Sequence, residues 1–161
     1  MTGGDHALEL VAAVPADLDR LLPFVRDYHH FEHVEMTDAD RCRALAPLLE
    51  ADSTFGRVWL IQSSSVVVGY LAVCFGYSIE FQGRDAFVDE LFIERAARGQ
   101  GIGTAVLERV QSLAAELGVV ALHLEVALDN DHARRLYRKL GFESRERFHL
   151  MSWRPSVGAI S

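Results

Sequence analysis

From residue 18 to residue 31 the apolar side chains Leu18, Leu21, Leu22, Val25, Tyr28 and Phe31 recur three and four positions apart, the spacing of a helix that buries one face. Pro15 opens this segment, where its fixed φ suits a first turn. Residues 8–14 before it read as a first strand. A second helix is predicted from Thr37, whose hydroxyl can cap it, through Leu45, Leu48 and Leu49 to about Asp52, bent or interrupted at Pro47. The pattern then changes. Residues 58–62 and 66–75 are β-branched and apolar, with Ser63-Ser64-Ser65 between them as a hairpin turn, and a third strand covers 84–93. Residues 104–117 return to helical spacing, with Val106, Leu107, Val110, Leu113, Ala114 and Leu117 on one side and Gly118 as the stop. A strand at 119–128, a helix at 129–140 closed by Gly141, and one or two strands within 142–153 complete the chain, the tail after Pro155 reading as frayed.

This order fits neither strict β-α alternation nor an all-β chain, so the predicted class is α/β (α+β), a mixed sheet with helices on both faces. No repeat, linker or low-complexity tract divides the 161 residues, which read as one domain with its core over about 8–154. The longest apolar runs are too short to cross a bilayer, and the first residues lack the basic region and apolar core of a signal peptide. Cys42 and Cys74 stand in no metal or redox spacing and are expected to be free and buried in a reducing, cytoplasmic setting. The formal charge of −7 argues against a nucleic-acid partner and suits small cationic molecules, although an acidic surface also serves solubility.

The segment Arg98-Gly99-Gln100-Gly101-Ile102-Gly103-Thr104 lies between a strong strand and a strong helix. Glycines there let backbone N–H groups approach a ligand, and the helix N-terminus behind them carries partial positive charge. The combination reads as a pyrophosphate cradle to which Arg98 can add a charged contact. A nucleotide P-loop requires a lysine after the last glycine, and none is present. A dinucleotide fold finds an acid at the expected distance, Glu125, but Gly-x-Gly-x-x-Gly fails in both frames, at Thr104 and at Val106.

Two motifs carry a resemblance to the GCN5-related N-acetyltransferases (GNAT) over nearly the whole chain. Leu91-Phe92-Ile93 followed by Arg98-Gly99-Gln100-Gly101-Ile102-Gly103 is similar to the family's strand and Arg/Gln-x-x-Gly-x-Gly/Ala turn. Asn130, Ala133, Tyr137, Gly141 and Phe142 stand in register with its Asn-x-x-Ala-x-x-x-Tyr-x-x-x-Gly-Phe. Arg95, where many members have proline, is a small departure. The resemblance implies a mostly antiparallel sheet of about six to seven strands, splayed between 84–93 and 119–128, with acetyl-coenzyme A as co-substrate in the gap and no metal. It implies a cofactor-binding set of Leu91, Phe92, Ile93, the run from Arg98 to Thr104, and Asn130 with Ala133.

It also implies direct attack of an amine on the thioester in a ternary complex, with Tyr137 protonating the leaving thiolate; no cysteine lies in either motif. Asp89 and Glu90 are the two acids expected to accept the ammonium proton, one as base and one as cation anchor in either order, and a β-bulge of the kind common in the family could re-aim either one. Tyr28, His29 and Glu32 on one wall, and Tyr77 and Glu80 across the cleft, are the acceptor contacts implied. His29, His30, Glu32 and His33 crowd the end of the first helix, with His29 and His33 one turn apart, but no third metal ligand stands out. Small cationic amines lead on charge, with polyamines, aminoglycosides, amino acids and peptide amines all open, and a homodimer is compatible with the family. Two other readings stand beside transfer: a non-catalytic acyl-coenzyme A-binding module, and an NAD(P)-binding enzyme.

Overall fold

The computed structural model describes residues 8–155. Their contacts group into two compact units, one reaching to Val126 and one beginning at Ala127.

The first unit is built on a sheet of five strands in sequence order: β1 (Leu8–Ala12), β2 (Gly56–Ser63), β3 (Val66–Ser78), β4 (Gly83–Ile93) and β5 (Ala121–His123). The first four are antiparallel neighbours and β5 joins β4 in parallel. β2 and β3 meet through a two-residue turn in which Ser64 and Ser65 both have positive φ, 51° and 68°, the backbone that matches the twist of a tight hairpin. Alternation along β2 divides the core. Val58 and Leu60 pack with Tyr70 and Ala72 of β3 and Phe92 of β4 against Leu21 and Val25 of helix α1 (Leu18–Phe31) and Leu45 and Leu49 of helix α2 (Asp38–Leu49). Trp59 and Ile61, with Leu71 and Val73, are buried on the other face. Helix α3 (Ile102–Glu116), whose buried stripe is Ile102, Val106, Leu107, Val110 and Ala114, packs against β1 and β4.

Pro15 starts a short 3-10 turn, Pro15–Asp17, in which Asp17 accepts a hydrogen bond from the Val14 N–H at 3.0 Å before α1 begins. Thr37 caps α2 by accepting from the Asp40 N–H at 3.1 Å. Pro47 does not interrupt α2, which continues to Leu49: a proline in the last turn removes one hydrogen bond near an end that is closing anyway. The helix stops short of Asp52.

The second unit holds one helix, α4 (Asp131–Lys139). It ends in a Schellman motif, with the Phe142 N–H bonded to the Tyr137 carbonyl at 2.9 Å and the Gly141 N–H to Arg138 at 3.0 Å. Gly141 takes the left-handed φ of 89° that this closure requires. No strand forms within 142–155. The sheet therefore has five strands among the described residues, fewer than the six to seven expected. Cys42 and Cys74 are free thiols, half-buried and not fully enclosed.

Candidate active site

β4 and β5 pair only at Asp85, Ala86 and Phe87 with Ala121, Leu122 and His123. Beyond His123 the chain leaves the ladder, so residues 88–93 have no strand on that side among the described residues. The strand expected over 119–128 thus shortens to three residues, and that shortening opens the sheet. Backbone polarity along the open stretch follows from the β3 pairing. The Glu94 N–H bonds the Val68 carbonyl at 2.8 Å, which makes the pairs of Phe92 with Tyr70 and of Glu90 with Ala72 the hydrogen-bonded ones. Leu91 and Ile93, between them, turn their N–H and C=O groups to the open edge. An extended amide chain could add there as a strand would.

At the end of β4 the chain turns through Arg95–Ala97 and the glycines into α3. Gly101 is the N-cap, with φ 77°, and a Cβ built on it meets nothing within 4 Å. The glycine is required by backbone conformation, and the space beside it is open to a ligand. The first helical bond is from Ala105 to the Gly101 carbonyl at 3.1 Å, and no side chain caps the helix. The N–H groups of Ile102, Gly103 and Thr104 are therefore donors without intrahelical acceptors, at the positive end of a fifteen-residue helix. These features fit a pyrophosphate. The helix begins at Ile102 and not at Thr104, so Gly103 lies inside the first turn. Arg98 folds back: its Nε donates to the Ile93 carbonyl at 2.8 Å and its guanidinium lies 5.6 Å from the centre of the Phe92 ring. Gln100 is exposed beside it.

On the α1 side of β4, Val73 pairs with Val88 while Ala72 pairs with Glu90, so Asp89 is the extra residue of a β-bulge. The bulge decides where the two acids go. Glu90 stands in register with Ala72, on the face that carries Tyr70 and Phe92. Its Oε2 accepts from the Tyr70 hydroxyl at 2.6 Å and its Oε1 lies 2.8 Å from His29 Nε2. Tyr70 is fully buried, and burial followed by the charge of Glu90 drives its pKa far above the ordinary phenol value, so its hydroxyl remains a donor. Asp89 is solvent-accessible and carries no such pair of bonds. Its pKa is raised, first by desolvation and then by the charges of Glu90 and Glu125.

Tyr28 packs edge-on to Tyr70 and Phe92, each ring pair 6.4 Å apart between centroids. Its pKa is pushed up to about 12 by burial and by Glu32, Glu90, Asp89 and Glu125 in turn. Four carboxylates thus act on one phenol. The structure brings Tyr28, His29, Glu32, Asp89 and Glu90 together, but His29 is buried with both ring nitrogens engaged, by Glu90 and by Arg41. His33 lies past the end of α1 with φ 55°, and so is not stacked one helical turn above His29. No metal-binding cluster occurs among the described residues. Tyr77, 77% exposed, and Glu80 lie toward the β3–β4 hairpin tip, where Tyr77 pairs with Arg84. Four residues separate Tyr77 from the bulge position at Val73, roughly 13 Å along the strand. A shallow groove lined by Cys74, Tyr77, Asp85 and Phe87 runs between them.

Sequence reasoning missed Tyr70 and Arg41, and it considered Glu125 only as a ribose-binding acid. The charge of Glu125 contributes to raising the pKa of Asp89 and of Tyr28. Arg41 had a readable signal: with Leu45 and Leu49 it completes the buried stripe of α2, where a charged residue demands a partner.

In the second unit, Asn130 caps α4, its Oδ1 accepting from the Ala133 N–H at 3.1 Å. The Tyr137 ring meets Phe142 edge-on at 6.0 Å, and burial alone raises the phenol pKa.

Known proteins share the sequence pattern and the fold of this chain. Residues 20–142 match the model of the "Acetyltransferase (GNAT) family". A thialysine N-epsilon-acetyltransferase of Bos taurus is 36% identical over 75 residues, 47% of this chain and 44% of that protein. The chain thus spans less than half the length of that curated relative. An integron cassette protein from the mobile metagenome of Cole Harbour Salt Marsh superposes with a TM-score of 0.77 at 30% identity, covering 92% of both chains. An acetyltransferase from Clostridium acetobutylicum, solved with acetyl-CoA, has the same fold, with a TM-score of 0.71 at 19% identity over 90% of this chain and 96% of that one.

Proposed function

The chain belongs to the acetyltransferase (GNAT) family, and from that premise we propose that it is an acetyl-transferring enzyme acting on a small cationic amine, with Asp89 taking the proton the ammonium must lose. The observation that carries the reading is the β-bulge. It sets an accessible carboxyl of raised proton affinity, Asp89, next to a Glu90 whose two oxygens are already committed to Tyr70 and His29. A base needs an unengaged lone pair and a pKa moved toward the working pH. Asp89 meets both requirements, and Glu90 is better suited to hold the cation in place. The negative surround of Glu32, Asp89, Glu90 and Glu125 favours an ammonium over a neutral acceptor. A thialysine N-epsilon-acetyltransferase among the relatives is consistent with an amine acceptor.

Acetyl-CoA supplies the thioester when bound. The outward N–H and C=O of Leu91 and the N–H of Ile93 would hold and orient its amide arm, and the N–H groups of Ile102, Gly103 and Thr104 would hold its pyrophosphate. Tyr137 is assigned the proton for the departing thiolate on its place in the second motif; its raised pKa keeps it in the protonated form that such a step needs.

The two acids are separated by kinetics. With the amine varied, Asp89→Asn should lower kcat by roughly 10²-fold and abolish the low-pH limb of kcat/KM. Glu90→Gln should chiefly raise the amine KM and keep that limb. A limb that persists in Asp89→Asn and vanishes in Glu90→Gln would reverse the assignment.

A further inference from the structure

His29 and Arg41 are the two buried polar or charged side chains among the described residues, 5% and 8% exposed. Burying a guanidinium is costly unless its donors are used. Here they are. Arg41 Nε donates to His29 Nδ1 at 3.1 Å and Arg41 Nη1 to Asp38 Oδ1 at 2.9 Å. Asp38 is held from behind by Arg26, at 2.7 Å to Oδ2. On its far side His29 Nε2 meets Glu90 Oε1 at 2.8 Å.

We propose that Arg41 is a positioning residue for the acceptor site: by donating to His29 Nδ1 it fixes the ring as the Nε2–H tautomer, which in turn fixes the Glu90 carboxylate. The chemistry leaves one assignment. Arginine has donors and no acceptor, so the nitrogen facing it must offer a lone pair, and the ring proton falls to Nε2. Nε2–H then donates to Glu90 Oε1, while Tyr70 donates to Oε2. With both oxygens bound from different elements, α1 and β3, the carboxylate cannot rotate. The first turn of α2, which touches no reacting group, thereby sets the orientation of an acid beside the bulge. This inference rests on Glu90 belonging to the acceptor site, and its structural half can be tested without turnover.

Long-range ¹H–¹⁵N spectra of the full chain at neutral pH, with His29 assigned by its loss in His29→Gln, read the tautomer directly. The single Nε2–H pattern is expected; an Nδ1–H or doubly protonated ring overturns the proposal. In Arg41→Met the single-tautomer pattern should be lost and kcat/KM for the amine should fall about tenfold, what one lost hydrogen bond to a charged group costs. The KM for acetyl-CoA should stay the same. Retention of both the pattern and the amine kinetics in Arg41→Met overturns it as well. His29→Gln, whose amide can accept from Arg41 and donate to Glu90, should keep more activity than His29→Leu; equal loss in the two assigns His29 a packing role and contradicts the proposal. Should Arg41→Met not fold, the wild-type tautomer and the His29 pair still decide. If no amine is acetylated by the wild type, the functional reading fails while the tautomer still tests the clamp.

Discussion

Replacing Tyr70 by phenylalanine removes one oxygen and nothing else, at a residue with no solvent exposure. The ring would stay in its cluster with Tyr28 and Phe92, so packing changes little. What is lost is the 2.6 Å hydrogen bond to Glu90 Oε2. A bond to a charged acceptor contributes about 1.5–3 kcal/mol. The Glu90 side chain is 20% exposed, so water can replace part of the loss and the lower figure, about 1.5 kcal/mol, applies. For a chain of this length that corresponds to a Tm lowered by roughly 3–6 °C. Urea unfolding should give the same loss with an unchanged m value. The functional consequence is separate. With one oxygen released, Glu90 can turn away, and kcat/KM for the amine should fall while acetyl-CoA affinity holds. Thermal melts, urea titration and a thiol-release assay on one preparation check all three. Wild-type stability and wild-type amine kinetics in Tyr70→Phe would mean that the hydroxyl does not hold Glu90.

Three further outcomes follow from the same geometry. Asp89 has a raised pKa in the folded chain, so its ionised form costs stability at neutral pH, and that cost disappears as pH falls through the folded pKa toward the ordinary value of roughly 3.9. Asp89→Asn should therefore raise Tm at pH 7, with the gain shrinking in acid, while activity falls; a lower Tm at pH 7 would contradict it. Gly101→Ala forces a Cβ into φ 77° without a clash, costing about 1 kcal/mol of conformational strain and misaiming the α3 amides, so acetyl-CoA should bind more weakly by calorimetry. Tyr137→Phe should lower kcat by about 10²-fold with acetyl-CoA affinity unchanged, and equal loss of affinity would argue for a packing tyrosine.

Much of the fold was legible because local pattern and tertiary burial agree. The stripe of α1, the run from β2 to β4 and the passage from β4 into α3 each show their periodicity in the chain. The turn at Gly99 and Gly101 was legible because few side chains suit its left-handed backbone, φ 76° and 77°. The bulge at Asp89 was not: a register shift arises between strands, and neither strand contains it alone. The network around Glu90 joins residues 61 and 20 positions apart, His29 and Tyr70, which no spacing rule connects. The strand read at 119–128 failed for a related reason. Its residues are apolar enough to be central, but the ladder ends at His123. Residues 142–153 alternate enough to suggest strands, yet none forms there, since alternation alone does not supply the ladder that a strand needs.

Thiol release from acetyl-CoA across a panel of cationic primary amines tests most directly whether the chain acetylates amines with Asp89 as base. Release should depend on the amine and be strongly reduced in Asp89→Asn while acetyl-CoA still binds. Tight acetyl-CoA binding with no release for any amine, or release indifferent to Asp89, would contradict it.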